Sequence, residues 1–200
     1  METVEGRTAR GRARVTFALL GAVVVALTAA CGAGATAPAP APAPAVVRAP
    51  DLAPGVVPAA PQDKPLVTLT GRIATTNDGG SLVLDQAALD RFGLLAVDVD
   101  DPWAKKRVAL QGFRLRDLVE LAKPDAGATT LHLEALDDYE IDLNLADVRA
   151  DGIFLATRNG QGAVLPFEDG GPTRVVFADG LASRFSPDMW IWNIETIEVR

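Results

Sequence analysis

The sequence holds few of the side chains that usually carry out catalysis. His132 is its only histidine and Cys31 its only cysteine, so a metal site with two histidine ligands is excluded. No G-x-S-x-G elbow, phosphate-binding P-loop or G-x-G-x-x-G turn is present. His132 alternates with Thr130 and Glu134, which predicts that it lies on a solvated face of a strand. We therefore expect no catalytic residue of these classes.

Carboxylates offer a second kind of chemistry. Asp98, Asp100 and Asp101 cluster in "VDVDDPW", and Asp137 and Asp138 stand in "LDDY". Their oxygens suit a hard cation such as Ca²⁺, although the first stretch lacks the glycine and the distal glutamate of an EF-hand loop. Aspartate is also common in turns, where it bonds to nearby backbone. We expect turn residues here and keep Asp98, Asp100 and Asp101 only as weak metal-ligand candidates.

The stretch "GQGAVLPFEDGGPTRVVF" is the best candidate for a ligand-binding loop. Gly170 and Gly171 allow close approach of the backbone, Pro172 fixes the entry to the next strand, and Arg174 follows. Such a loop can present backbone N–H groups to an anion, but the same residues also suit a tight connection between strands.

Two tryptophans lie close to this loop along the chain. In "MWIWN", Trp190 and Trp192 are two residues apart and would share one face of a strand. Because Ile191 on the other face is also apolar, we expect the two indoles to occupy different environments. Either the strand is covered on both faces, or one indole lies at the rim of a groove, and we take Trp190 as the candidate contact.

The surroundings of Cys31 indicate export and lipidation. Four arginines precede the apolar run "VTFALLGAVVVALTAA", and small residues stand directly before the cysteine. This is the plan of a secretory signal, and the run is short for a membrane span. The stretch resembles a lipoprotein signal, although Thr28 stands where leucine is commoner. We expect residues 1–30 to be a signal peptide and Cys31 to carry the lipid that anchors an extracytoplasmic protein to its membrane.

The rest of the chain divides into a tether and one domain. Residues 31–64 are rich in Ala and Pro, which predicts an extended, disordered spacer. Without residues 1–30, which hold four Arg and two Glu, the formal charge falls from −7 to −9. So acidic a chain argues against nucleic acid as a partner. Residues 65–200 are long enough to form a domain with a core of its own.

The hydrophobic pattern of this domain predicts an α+β fold that is rich in strands. We expect a hairpin over 66–84, a helix capped by Asp85, a strand over 94–100 and a helix over 115–122. Further strands are predicted over 129–136, 139–145, 152–159, 173–179 and 190–199. Short helices scattered between strands favour a mostly antiparallel mixed fold.

The order of these pieces resembles the molybdopterin-binding domain of the sulfite oxidase type, and above all its small extracytoplasmic members. The motifs that match are Gly112, Leu115, Leu118 and Val119; Asp137, Asp138 and Tyr139; Leu155, Ala156, Asn159, Gly160 and Leu165; Gly170, Gly171, Pro172 and Arg174; and Trp190, Ile194, Ile197 and Val199. The resemblance implies that family's fold, a molybdopterin cofactor and oxidoreductase chemistry. It makes Tyr139 a further candidate beside the loop residues and Trp190.

The departures from the family decide our expectation of function. A cysteine ahead of the G-x-x-L-x-x-L-L helix ligates molybdenum in the catalytic members, and this chain has no cysteine there. We therefore expect no bound cofactor and a non-catalytic module that binds an unknown protein or small molecule. Two alternatives stay open: a molybdopterin-dependent oxidoreductase, and a Ca²⁺-dependent acidic module.

Overall fold

The computed structural model describes residues 43–53 and 55–200, so Cys31 and the predicted signal peptide lie outside the described residues. The described strands form two five-stranded sheets. In order across the first sheet, the strands are β1 (Val46–Arg48), β4 (Leu94–Asp101), β5 (Lys106–Arg114), β8 (Ile153–Asn159) and β9 (Arg174–Phe177). In order across the second, they are β3 (Leu82–Leu84), β2 (Val67–Gly71), β10 (Ile194–Val199), β6 (Thr130–Ala135) and β7 (Glu140–Asn144). All neighbouring strands are antiparallel except β10 and β2, which are parallel. The prediction of a strand-rich α+β fold is confirmed.

The elements follow one another with short connections. The helices are α1 (Gln86–Asp90), α2 (Leu115–Ala122), α3 (Leu145–Arg149) and α4 (Asp179–Ala182), with 3₁₀ turns at Phe167–Asp169 and Pro187–Met189.

Most of the predicted elements form where the hydrophobic pattern placed them. The Asp85 carboxylate caps α1 by accepting a hydrogen bond from the Ala88 N–H at 2.8 Å. α2 buries the apolar face that its spacing predicts, and Lys123 ends it in the left-handed conformation before Pro124. A stack of Phe92 on Phe113, with ring centroids 4.6 Å apart, belongs to the core that both sheets share.

The environment predicted for His132 is wrong. His132 is only 8% exposed, and its Nδ1 lies 2.7 Å from Asp142 Oδ1 on the neighbouring strand β7. β6 is an inner strand between β10 and β7, so a side chain on its polar face is covered by neighbours on both sides. The Asp142 carboxylate satisfies the hydrogen bonding of the buried imidazole, so the contact gives His132 a structural role.

The prediction of a free tether up to residue 64 also differs from the structure. Val46–Arg48 forms β1 and pairs with β4, and the Asp51 and Leu52 N–H groups donate to the Arg91 carbonyl, both at 3.1 Å. We call residues 43–53 the strap. The prolines of the strap led to the prediction of a spacer in place of a strand. Proline is nevertheless tolerated at the edge of a sheet, which is where β1 lies.

Candidate functional site

The predicted ligand loop is closed by its own hydrogen bonds. It leads from β8 through the 3₁₀ turn Phe167–Asp169 into β9. The N–H groups of Asp169 and Gly171 donate to the Pro166 carbonyl at 3.1 and 2.9 Å, and that of Gly170 donates to the Phe167 carbonyl at 3.0 Å. These three donors serve the turn itself, so they are not free to bind an anion.

The two glycines of the loop are required by contacts within the protein. Gly170 has φ +85°, and a Cβ built there would lie 2.7 Å from the ring of Trp192. A Cβ on Gly171 would lie 2.0 Å from the Leu165 carbonyl oxygen. The Gly171–Pro172 peptide bond is cis. The close approach that the glycines allow is therefore to Trp192 and Leu165.

Arg174 is held in a buried ion pair with Asp101. Its Nη2 lies 2.5 Å from Asp101 Oδ2, and the two side chains are only 3% and 1% exposed. Nη1 donates to the Asp169 carbonyl at 3.1 Å, and the guanidinium lies 4.4 Å from the centroid of the Trp192 ring. Burial lowers the pKa of Arg174, whereas Asp101 acts to raise it. The charge of this arginine is already neutralised inside the protein.

Three buried polar atoms at this place lack a hydrogen-bond partner among the described residues: Arg174 Nε, Trp192 Nε1 and Asn193 Oδ1. The first is an N–H donor of the neutralised guanidinium itself, the second is the N–H of the indole that lies against it, and the third is an amide oxygen. Groups of this kind suit a neutral hydrogen-bonding partner better than a phosphate, because no positive charge remains to balance it.

The two tryptophans do occupy different environments, but Trp190 is not the one at the loop. Trp190 is buried and packs edge-on against Phe177, with ring centroids 5.6 Å apart. Trp192 is partly buried and contacts Gly170 and Arg174. The strand begins only at Ile194, because Asn193 has φ +53° and interrupts the extended backbone. The strand alternation assumed from the sequence therefore does not apply to this pair.

Tyr139 lies on the surface next to a residue that the sequence analysis missed. The Tyr139 hydroxyl donates to the Asp188 carbonyl at 2.9 Å, and the indole N–H of Trp103 donates to the adjacent Pro187 carbonyl at 3.1 Å. Trp103 stands in the turn between β4 and β5, where Asp101 Oδ1 accepts from the Trp103 and Ala104 N–H groups. The "DPW" sequence at this turn was the signal that could have identified it.

The weak metal-ligand candidates do not come together. Asp98 and Asp100 are exposed on one face of β4, whereas Asp101 points to the opposite face and is buried. Among the residues that the structure describes, no group of three or more His, Cys, Asp or Glu side chains could hold a metal ion. The geometry thus gives no support to a Ca²⁺-dependent module built on Asp98, Asp100 and Asp101.

Within the described ranges, no helix has the length and apolar character needed to cross a membrane. A cavity with a volume of about 410 Å³ lies between the strap and α2. Leu52, Phe92 and Leu121 supply apolar walls, and Asp117 and Glu120 are among its polar residues. None of the loop residues discussed above lines it.

Comparisons with known proteins agree with the fold. The family model described as "Oxidoreductase molybdopterin binding domain" matches residues 93–199. Among solved structures, the sulfane dehydrogenase SoxCD from Paracoccus pantotrophus aligns with a TM-score of 0.54 and 17% sequence identity, over 69% of this chain and 38% of that chain. At this identity the likeness shows the fold alone. A search of curated proteins found no significant match.

Proposed function

Because the chain belongs to the oxidoreductase molybdopterin-binding domain family, we propose that it keeps this fold and works as a lipid-anchored, extracytoplasmic binding module without redox chemistry of its own. The observation that carries the proposal is the buried ion pair between Arg174 and Asp101. A phosphate of the cofactor would have to displace a carboxylate that is already in place, and the neighbouring loop offers no free N–H group from Asp169, Gly170 or Gly171.

The ligand chemistry that molybdenum needs is also missing from the described residues. The only cysteine of the chain is Cys31, which lies outside them. Molybdenum held by sulfur ligands is poorly served by hard carboxylates, and Asp98, Asp100 and Asp101 do not converge on one point. The residues present do not fit the molybdopterin group, so we assign it no step.

The alternative is a molybdopterin-dependent oxidoreductase, which the family match and the likeness to SoxCD favour. One experiment separates the two. The full chain is made in a host that synthesises the molybdenum cofactor, beside a family member that has the cysteine ligand. We expect no stoichiometric molybdenum by elemental analysis and no pterin fluorescence after oxidation, while the control protein gives both. Near-stoichiometric molybdenum and pterin in this chain would establish the oxidoreductase.

The proposal places the domain at a membrane through a lipid on Cys31. Support comes from the basic start, the short apolar run and the small residues ahead of this cysteine. Cys31→Ser should abolish incorporation of an alkyne-tagged fatty acid and leave the precursor uncut, because a hydroxyl cannot form the thioether. Thr28→Leu, which introduces the commoner residue, is the control and should be processed normally. Labelling of Cys31→Ser at the level of the parent would refute the anchor.

A further inference from the structure

Four exposed apolar side chains stand in loops that are connected by hydrogen bonds. They are Trp103, Leu136, Tyr139 and Phe167, with exposed fractions of 53%, 46%, 44% and 63%. We call these four side chains the aromatic patch. Exposed aromatic residues of this size are enriched where proteins bind one another.

Hydrogen bonds join the parts of the aromatic patch. Trp103 and Tyr139 donate to the carbonyls of the consecutive residues Pro187 and Asp188, so their rings flank the same 3₁₀ turn. Leu136 N–H donates to the Asn193 carbonyl at 3.0 Å. Asn193 N–H donates in turn to the Gly170 carbonyl at 3.1 Å, and Gly170 closes the turn that begins at Phe167. The four side chains are thus held on one framework.

The polar tips of both large aromatic rings are already satisfied. The indole N–H of Trp103 and the hydroxyl of Tyr139 each have a backbone carbonyl as partner, at 3.1 and 2.9 Å. The rings are therefore held in place before any partner arrives, and little side-chain entropy remains to be lost on binding. Fixed, half-exposed Trp and Tyr side chains are the usual centres of binding energy in interfaces.

The charges around the patch are mostly negative. Five exposed carboxylates stand in the same loops, and none forms an ion pair within the part of the chain that the structure describes; they are Asp137, Asp138, Glu168, Asp169 and Asp188. Two exposed lysines, Lys105 and Lys106, follow Trp103 along the chain and form no ion pair within the described residues, so the carboxylates outnumber them by five to two. Anionic lipid and a second copy of this acidic surface would both be repelled.

We propose that the aromatic patch binds a protein segment that carries lysine or arginine. This inference rests on the proposed function, because it supplies the partner of the non-catalytic module. Cationic side chains would meet the five carboxylates and could stack on Trp103 and Tyr139, whose ring faces attract cations. The apolar stems of such residues would cover Leu136 and Phe167.

The test is a selection from a peptide library that has no bias toward either charge. The full lipidated chain, held in a neutral detergent, selects from an immobilised library of random dodecapeptides. We expect enrichment of peptides with several Lys or Arg residues, and weaker binding of the best peptide when NaCl rises from about 50 mM to about 300 mM. No enrichment, or enrichment of neutral or acidic peptides, overturns the proposal.

Two pairs of variants locate the binding. Trp103→Ser should weaken the best peptide about tenfold or more, whereas Val56→Ser, an exposed apolar residue outside the patch, should not. The double variant Glu168→Gln/Asp188→Asn should weaken it and flatten the salt dependence, and Asp63→Asn/Asp78→Asn should do neither. If Trp103→Ser unfolds, the carboxylate pair still decides the question. Equal effects of patch and control variants refute the site.

The same preparation separates this inference from the function on which it rests. Light scattering of the parent should show no self-association that Trp103→Ser removes; such self-association would assign the patch to a second copy and overturn the proposal. Molybdenum and pterin are measured on the same sample. A stoichiometric cofactor would refute the proposed function, whichever peptides are selected. A cofactor-free protein that selects no basic peptide would refute only the inference about the aromatic patch.

Discussion

Arg174 and Asp101 come from distant parts of the chain and meet as a buried ion pair, with Nη2 and Oδ2 2.5 Å apart. Asp101 ends β4 and its other oxygen accepts from the Trp103 and Ala104 N–H groups. Arg174 begins β9, an edge strand of the same sheet that is three positions from β4 in the strand order, and its guanidinium stacks on Trp192. One contact therefore fixes the turn that carries Trp103 and the loop that carries Phe167.

Removing one charge of this pair should destabilise the domain strongly. Asp101→Asn keeps the side-chain oxygen for the turn but leaves the Arg174 guanidinium buried without a counter-charge, which costs about 3–5 kcal/mol of the free energy of unfolding. Asp100→Asn, on the exposed neighbour, should change it by less than about 0.5 kcal/mol. Urea denaturation measures both. The double variant Asp101→Asn/Arg174→Met should recover part of the loss, and additive losses would contradict the coupling.

Much of the fold follows from local patterns, and the site does not. The alternation in 129–136 and 139–145 predicted β6 and β7, and the Asp85 cap predicted α1, because each signal lies within one element. β5 was not predicted because it begins with two basic residues and shifts register at Gln111/Gly112, so its apolar alternation is broken. β1 was not predicted because its proline-rich surroundings resemble a disordered spacer, and only its pairing with β4 makes it a strand.

The candidate site could be found only in part because its decisive contacts join distant residues. The loop residues Gly170 and Arg174 were identified from their types, but nothing local indicates that Asp101 is the partner of Arg174. The assumption of a continuous strand from residue 190 assigned the rim to Trp190, and the positive φ of Asn193 moved that role to Trp192. Contacts between residues that are distant along the chain depend on the tertiary structure, and local sequence signals do not encode them.

Gly170→Ala should destabilise the loop through contact as well as conformation. At φ +85° an alanine is strained, and its Cβ would also lie 2.7 Å from the Trp192 ring, so we expect a loss of about 2 kcal/mol or more. Gly80→Ala is the matched control, because Gly80 has φ +94° but no atom within 4 Å of the added Cβ. The difference between the two midpoints in urea isolates the clash. Equal losses would show that Trp192 moves aside freely.

Docking of the strap depends on close approach at Gly93. Its φ is +79°, and a Cβ there would lie 2.7 Å from the Arg48 carbonyl oxygen and from Pro50 N. Gly93→Ala should therefore displace the strap and raise the hydrogen-exchange rates of the Asp51 and Leu52 amides, which donate to Arg91, by about tenfold or more. Gly79→Ala, with positive φ and open space, should leave those rates unchanged. Unprotected amides in the parent would contradict docking altogether.

Asp90 should make the domain more stable at neutral pH than in acid. Burial raises its pKa, but hydrogen bonds from Arg158 and Gln86 and the charges of Arg158 and Arg48 outweigh burial, so the pKa lies below its ordinary value of 3.8. A depressed folded-state pKa contributes stability above the ordinary value that is lost as the pH falls through the lowered one. Asp90→Asn should cost about 2 kcal/mol at pH 7, and its difference from the parent should shrink as the pH falls through the lowered pKa of Asp90. A cost independent of pH would exclude the charged pair.

Asp117, in the first turn of α2, should show the opposite pH dependence. Burial raises its pKa above 3.8 despite the opposing charges of Arg116 and Arg114. With a raised folded-state pKa the folded protein binds more protons than the unfolded chain, so the parent loses stability as the pH rises through this interval.

Asp117→Asn removes the titration, and its stability relative to the parent should therefore increase with pH from the ordinary aspartate value upward. The gain should stay below about 1 kcal/mol, because the side chain is partly exposed and a first-turn carboxylate favours the helix. Urea midpoints of both proteins from about pH 3 to about pH 7 measure the difference. If the stability of Asp117→Asn falls against the parent as the pH rises, the arginines dominate at this carboxyl and burial does not.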